Sequence, residues 1–230
     1  MDPSAQTWAI GTSLGVLGLV LGVLFVRGIG QYLRTRQRLQ LFWAGGMGLA
    51  SGAMAIETVV YAGVASSGLL QAYVFLTAAL VGVLSLGATR VLKSPRFESG
   101  YRGFIFASIA AVGLACLLVP IPPSAMVSGN IIVHNPPLLL LLLSSVVTGP
   151  ATVVLLASAG VSLRRTRQWQ GLVMIAGALV LGAGGALYIA SFPVALYYAE
   201  FIGIVLLFIG LVNLRRAVPQ PLTRPQVQLP

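Results

Sequence analysis

The chain has 230 residues, of which 57% are hydrophobic and only 8% are charged, and its formal net charge is +10. Soluble domains carry about 25% charged residues, so this chain has too few charges to cover a water-facing surface, and its composition predicts an integral membrane protein. The positive charges lie at the ends of apolar runs rather than on one polar face, which excludes a nucleic-acid-binding protein.

Runs of about 20 apolar residues are long enough to cross a bilayer as helices. Seven such runs predict an all-α, polytopic membrane protein with seven transmembrane helices. In chain order the predicted spans are Trp8–Val26, Leu39–Ala62, Leu69–Leu92, Gly103–Val119, Leu138–Leu163, Gly171–Ala190 and Val194–Leu214. The predicted transmembrane domain therefore occupies residues 1–216. Residues 217–230 are rich in proline and are predicted to form a disordered cytoplasmic tail.

The distribution of positive charge predicts the orientation of the chain. All 14 lysine and arginine residues lie at or beyond the ends of the first, third, fifth and seventh spans. The connections on the other side of the predicted bundle contain none. Because cytoplasmic loops carry the excess of Lys and Arg, we expect an outside N-terminus and a cytoplasmic C-terminus in the plasma (cytoplasmic) membrane.

Small residues four positions apart, such as Gly11/Gly15 and Gly18/Gly22 in the first span, predict close helix packing. Pro150 lies within the fifth span and predicts a kink there. The sequence Arg-Thr-Arg-Gln occurs at residues 34–37 and again at residues 165–168, before the second and sixth spans. Two interpretations are open: a 3+1+3 parallel repeat, or basic helix ends that resemble each other in any membrane protein.

The connection Pro120–Pro137 is the longest on the side without positive charge. Its sequence fits a lid over an outward-facing cavity, or an ordered loop with a short hairpin. It contains His134, the only histidine of the chain.

Two carboxylates lie inside predicted spans, where an ionised side chain costs about 2.5–3.5 kcal/mol. Glu57 precedes Tyr61 by four residues on the second helix, and Glu200 lies near the start of the seventh. From the helical rise, they lie about 6 and 10 Å below the same outer boundary. Several tyrosines lie at this level. The predicted ligand-binding residues are Glu57, Tyr61, Tyr73, Tyr188, Tyr197 and Glu200.

Two interpretations of these residues are open. The first is an interfacial belt of tyrosines with two shallow glutamates that reach water or a hydroxyl group. The second is an outward-facing polar pocket that binds a small molecule or a cation. In such a pocket, burial and mutual proximity would make the two carboxyl groups harder to ionise.

The sequence predicts no catalytic residue, no metal site and no cofactor. With His134 and Cys116 as the only residues of their types, a zinc site of several Cys and His and a haem held by two histidines are excluded. Lys93 is the only lysine and lies outside the seventh span, which excludes a retinal Schiff base there. A metalloenzyme would need His134 to fold inward beside Glu57 and Glu200. A lone histidine in a loop is more often a surface residue, so we expect no enzyme.

Two functional hypotheses remain, and the lipid bilayer is a partner in both. In the first, the protein binds or transports a small molecule through an outward-facing cavity lined by Glu57, Glu200 and tyrosines. In the second, it is a non-catalytic sensor or accessory subunit. Its basic cytoplasmic face would then dock an acidic partner or anionic lipid through Arg34, Arg36 and Arg38.

Overall fold

The structure is a computed structural model of the chain. It describes residues 3–36, 38–92, 94–128, 130–132 and 136–166, together with residues 172, 173, 175–177, 179, 180, 199, 201–206 and 209. The described chain is mostly helical. Its elements in chain order are α1 (Pro3–Thr35), α2 (Arg38–Tyr61), α3 (Ser67–Ala88), a 3-10 turn (Thr89–Leu92), α4 (Pro95–Leu118), α5 (Pro123–Met126), β1 (Val127–Ser128), β2 (Ile131–Ile132) and α6 (Leu138–Thr166).

The first four long helices alternate in direction. The Cβ position of Gly11 lies beside Tyr61 at one end of α1 and α2, and that of Gly28 lies beside Ala44 at the other. α3 packs against α2, α4 and α6 and has buried residues along its length. The bundle therefore has a hairpin end, with the α2–α3 turn and strands β1 and β2. At the opposite, basic end are Arg27, Arg34, Arg36 and Arg96.

The turn between α2 and α3 is closed by backbone hydrogen bonds. The amide of Gly63 donates to the Val60 carbonyl (2.9 Å), and the amide of Val64 donates to the Val59 carbonyl (3.2 Å). This pattern requires a left-handed residue after the helix, and Gly63 supplies it with a φ of +91°. The hydroxyl of Ser66 then caps the first turn of α3.

The long connection between α4 and α6 is an ordered loop with a short hairpin. β1 and β2 pair antiparallel, with Val127 opposite Ile132 and Ser128 opposite Ile131. Between them Asn130 has a φ of +61°, a conformation that asparagine adopts more readily than most residues. Of the two interpretations of this connection, the structure shows the hairpin.

Four described helices are long and apolar enough to cross a membrane: Gly11–Thr35, Ser67–Ala88, Pro95–Leu118 and Leu138–Val161. They overlap the first, third, fourth and fifth predicted spans. The boundaries differ because the predicted spans were ended at charged residues, and a charged residue does not end a helix. α1 continues past Arg27 to Thr35, and α4 begins at Pro95, eight residues before the predicted start at Gly103.

The remaining three predicted spans have different outcomes. The second is helical as α2 and is not among the four candidates. The sixth and seventh spans lie largely outside the described residues, as do the tail at 217–230 and the second copy of the proposed repeat. The seven-helix count, the repeat and the orientation therefore stay predictions. α6 remains one helix through Pro150.

Candidate functional site

Glu57 lies in the last turns of α2, toward the hairpin end, and its side chain is only 1% exposed. Spacings of three and four residues place it on one helical face with apolar side chains. The other buried members of this face are Trp43, Met47, Ala50 and Met54. They pack in one cluster with Leu21, Leu80, Leu84, Ala159 and Ile204. A carboxyl group therefore continues a face that is otherwise a packed hydrophobic core.

α1 covers the side of α2 next to Glu57. A Cβ at Gly15 would lie 3.6 Å from the Thr58 side chain, and one at Gly11 would lie 3.3 Å from the Cβ of Tyr61. Glycines at these positions let the two backbones approach closely. The register of α1 and α2 thus places Gly15 at the height of Glu57 and encloses Tyr61, which is also buried.

α3 covers the other side of α2, and the α2–α3 register can be read from two glycines. The Cβ position of Gly45 lies 3.4 Å from Val83, and that of Gly52 lies 3.2 Å from Leu76. Since the helices are antiparallel, this register places Tyr73 within one helical turn of the height of Glu57. Tyr73 is buried in a cluster with Val60, Leu70, Met126 and Ile132.

The connection between α4 and α6 closes the hairpin end over this region. Ile121, Met126 and Ile132 are fully buried there. Two hydrogen bonds hold the start of the connection to α3. The Gln71 side-chain amide donates to the Val119 carbonyl (2.8 Å), and the Ile121 amide donates to the Ser67 hydroxyl (3.0 Å). The described part of this end is therefore packed and not open.

Three of the predicted site residues, Glu57, Tyr61 and Tyr73, are thus buried near the hairpin end of the bundle. The other three, Tyr188, Tyr197 and Glu200, lie outside the described residues, and so does His134. Helical residues 201–206 follow Glu200 directly, and Ile204 among them packs in the cluster of Met47 and Met54.

Several buried polar groups were missed by the sequence analysis. Ser85 and Tyr101 share a hydrogen bond of 2.8 Å between α3 and α4. Within the described chain, Ser158 Oγ and Trp43 Nε1 are buried and have no hydrogen-bond partner. Trp43, Ser85 and Ser158 are lone polar or amphipathic positions within apolar runs, and a search for such positions would have found them. Tyr101 lies beside Arg102, before the predicted fourth span, and no such pattern marks it.

The described residues offer no group of three or more His, Cys, Asp or Glu that could hold a metal ion. Two clefts lined by described residues lie along α1, and neither touches Glu57, Tyr61 or Tyr73. The larger, of about 840 Å³, is an open groove between α1 and α2. The smaller, of about 370 Å³, adjoins it at the basic end and is lined by Arg27, Gly30, Gln31 and Arg34.

Comparisons of the chain with known protein families, curated proteins and solved structures found no match.

Proposed function

We propose that this membrane protein binds or transports a small molecule or cation at a pocket containing Glu57, Glu200 and neighbouring tyrosines. The observation that supports this proposal is the burial of Glu57, at 1% exposure, on the α2 face that continues the apolar cluster. Burial of a carboxyl group within apolar helices is costly. A carboxyl group buried within apolar helices is typical of a site for a proton, cation or amine.

The position of Glu200 in the sequence supports the same proposal. Glu200 immediately precedes helical residues 201–206, and Ile204 packs in the cluster of Met47 and Met54. These two methionines share the α2 face of Glu57, so the segment that follows Glu200 belongs to the same apolar cluster as that face. The proposed pocket would have one carboxyl group from each segment, with Tyr61 and Tyr73 at the same end of the bundle.

The test measures ligand-dependent thermal stability of the purified full chain in a panel of Na⁺, K⁺ and small protonated amines. A ligand at 100 times its Kd contributes about 2.7 kcal/mol, which raises the Tm of a chain of this size by about 5–10 °C. We expect at least one compound of the panel to stabilise the wild type and Glu57→Gln to lose that shift.

Glu98→Gln is the matched control, because Glu98 lies at the basic end and pairs with Arg102 at 2.6 Å. It should keep the full Tm shift. An unshifted wild type across the panel, or an equal shift in Glu57→Gln, would remove the case for a ligand at this pocket.

A second candidate function, a sensor or accessory subunit, is favoured by a different observation. Arg36, Arg96 and Arg164 are exposed. The ion pair seen among the described residues joins Arg102 to Glu98 and involves none of these three. An exposed basic surface of this kind fits an acidic protein partner. Copurification of a stoichiometric partner that Arg36→Gln/Arg96→Gln releases, while Glu57→Gln retains it, would favour this function. A monomeric, partner-free protein from native membranes would contradict it.

A further inference from the structure

The groove between α1 and α2 is apolar and open to the surroundings of the bundle. Leu19, Val23 and Val26 of α1 form one wall, and Ala55 of α2 lies on the other. Leu19 is 73% exposed and Val26 is 66% exposed. Glycines lie between these residues, and because they have no side chains the groove has a volume of about 840 Å³. An elongated apolar group fits in this space.

The groove ends at a basic cleft. Arg27 lines both the groove and the smaller cleft, where Gln31 and Arg34 are its neighbours. The spacings of four and seven residues place these three side chains on one face of α1, and all three are exposed. The same face therefore changes from apolar to basic at Arg27.

No carboxylate of the described chain neutralises this basic cleft. The sequence has four acidic residues. Of the two that the structure describes, Glu98 pairs with Arg102, and Glu57 lies toward the opposite end of α2. The two arginines are thus available to an anionic ligand, and arginine binds phosphate through paired, charge-assisted hydrogen bonds.

The length of the groove matches one leaflet of a bilayer. From Gly15 to Arg27 the helix rises about 18 Å, and half of a hydrocarbon core of about 30 Å is about 15 Å. An apolar tail that fills the groove from Gly15 would therefore place its head group at the level of Arg27.

We propose that this groove is a binding site for one anionic glycerophospholipid. An acyl chain lies along Leu19 and Val23, and the phosphate contacts Arg27 and Arg34. A second copy of this chain is a poorer occupant, because a copy in the same orientation would bring its own arginines against these. The proposal is independent of the pocket at Glu57.

The test is native mass spectrometry of the full chain in detergent, titrated with phosphatidylglycerol or with phosphatidylcholine of the same acyl chains. Two arginines predict a preference for phosphatidylglycerol of about 25-fold, about fivefold for each basic residue near an anionic surface. Arg27→Gln should lose about fivefold of this affinity. Ala55→Phe fills the groove and should lose about 15-fold, the effect of removing two CH₂ groups from apolar contact.

Matched controls separate this site from general charge and from misfolding. Arg96→Gln removes an exposed arginine of the same end, and Val59→Phe adds a ring at an exposed α2 position outside the groove. Both should bind phosphatidylglycerol like the wild type, and all variants should stay monodisperse with an unchanged Tm. Equal retention of the two lipids, or equal losses in Arg27→Gln and Arg96→Gln, would overturn the proposal. So would binding of soluble glycerol 3-phosphate as tight as that of the lipid, or a dimer that Ala55→Phe dissociates.

Discussion

The indole ring of Trp43 lies against the backbone of Gly87, at the place where α2 meets the end of α3. A Cβ added at Gly87 would lie 2.7 Å from Nε1 and 3.2 Å from Cε2 of this ring. The ring is rigid, buried and packed beside Met47. It has little room to move away from an added methyl group, so Gly87 is a position where one carbon atom matters.

Gly87→Ala should therefore destabilise the protein. Overpacking of this kind costs about 1–3 kcal/mol, and a Tm falls by about 2–4 °C per kcal/mol in a chain of this size. Gly103→Ala is the control, because Gly103 is an exposed helical residue with open space at its Cβ, and alanine favours a helix over glycine. Thermal unfolding in detergent should show a lower Tm for Gly87→Ala alone. Equal Tm values for both variants would show that the Trp43 ring moves away from the added methyl group, and would contradict the prediction.

At this scale the sequence predicted that Glu57 lies near one end of a helix, one turn before Tyr61, but it left open the direction of the carboxyl group. α2 is apolar around its whole circumference, with buried residues toward α1, α3 and the cluster of Ile204. An amphipathic pattern marks the inner face of a helix in water, and such a pattern is absent when lipid is the surrounding medium. The burial of Glu57 therefore had to come from the structure.

α1 and α2 pack along almost their whole length through glycines of α1. The Cβ position of Gly18 lies 3.4 Å from the Cβ of Met54, and that of Gly22 lies 3.2 Å from the Ser51 hydroxyl. That hydroxyl donates to the Gly18 carbonyl at 2.8 Å. The glycine spacing predicted a packing surface and the structure confirms it in α1. Ala107, Ala111 and Ala115 of α4 have the same spacing of four residues, and Ala107 and Ala111 are exposed whereas Ala115 is buried.

The register of these two helices predicts where an engineered disulfide can form between them. Disulfide-bonded residues have Cβ atoms about 3.5–4.5 Å apart, close to the separation of Gly18 and Met54. In a Cys116→Ala background, Gly18→Cys/Met54→Cys should cross-link on mild oxidation and lose both free thiols to a maleimide–polyethylene glycol gel shift. Gly18→Cys/Ala50→Cys, with the second thiol one turn along the same face, should remain reduced. Cross-linking of the Ala50 pair instead would mean a different register.

The lengths of the elements were the least predictable feature at this scale. Arg27 ends an apolar run, but the residues from Gln31 to Leu33 continue a helix, and α1 ends only at Thr35. The hairpin of β1 and β2 depends on a few buried side chains, Met126 and Ile132 among them. These contacts join segments that are distant in sequence. The local sequence of the connection between α4 and α6 could therefore not decide between a lid and an ordered loop with a hairpin.

For the whole molecule, the sequence predicted a helical membrane protein, and the described chain has four helices that fit this class. The two ends of the bundle also differ as the charge pattern requires. The α2–α3 turn and the β1–β2 hairpin have no arginine or lysine, whereas the opposite end carries Arg34, Arg36 and Arg96. Charge asymmetry of this kind is what the insertion machinery reads. The bundle geometry gives the two ends, and the charge rule predicts which of them is cytoplasmic.

That orientation predicts opposite reactivity at two exposed glycines. Gly68 lies at the hairpin end and Gly100 at the basic end, and each has open space at its Cβ. In a Cys116→Ala background, a membrane-impermeant maleimide should label Gly68→Cys in intact cells and should label Gly100→Cys only after the membrane is permeabilised. Both thiols should react equally in detergent, which controls for local accessibility.

Labelling of Gly100→Cys alone in intact cells would mean an inverted bundle, in which the arginines face outward and the Glu57 region lies toward the cytoplasm. The outward-facing pocket would then be wrong, because its opening is inferred from this orientation, whereas the lipid groove would move to the outer leaflet.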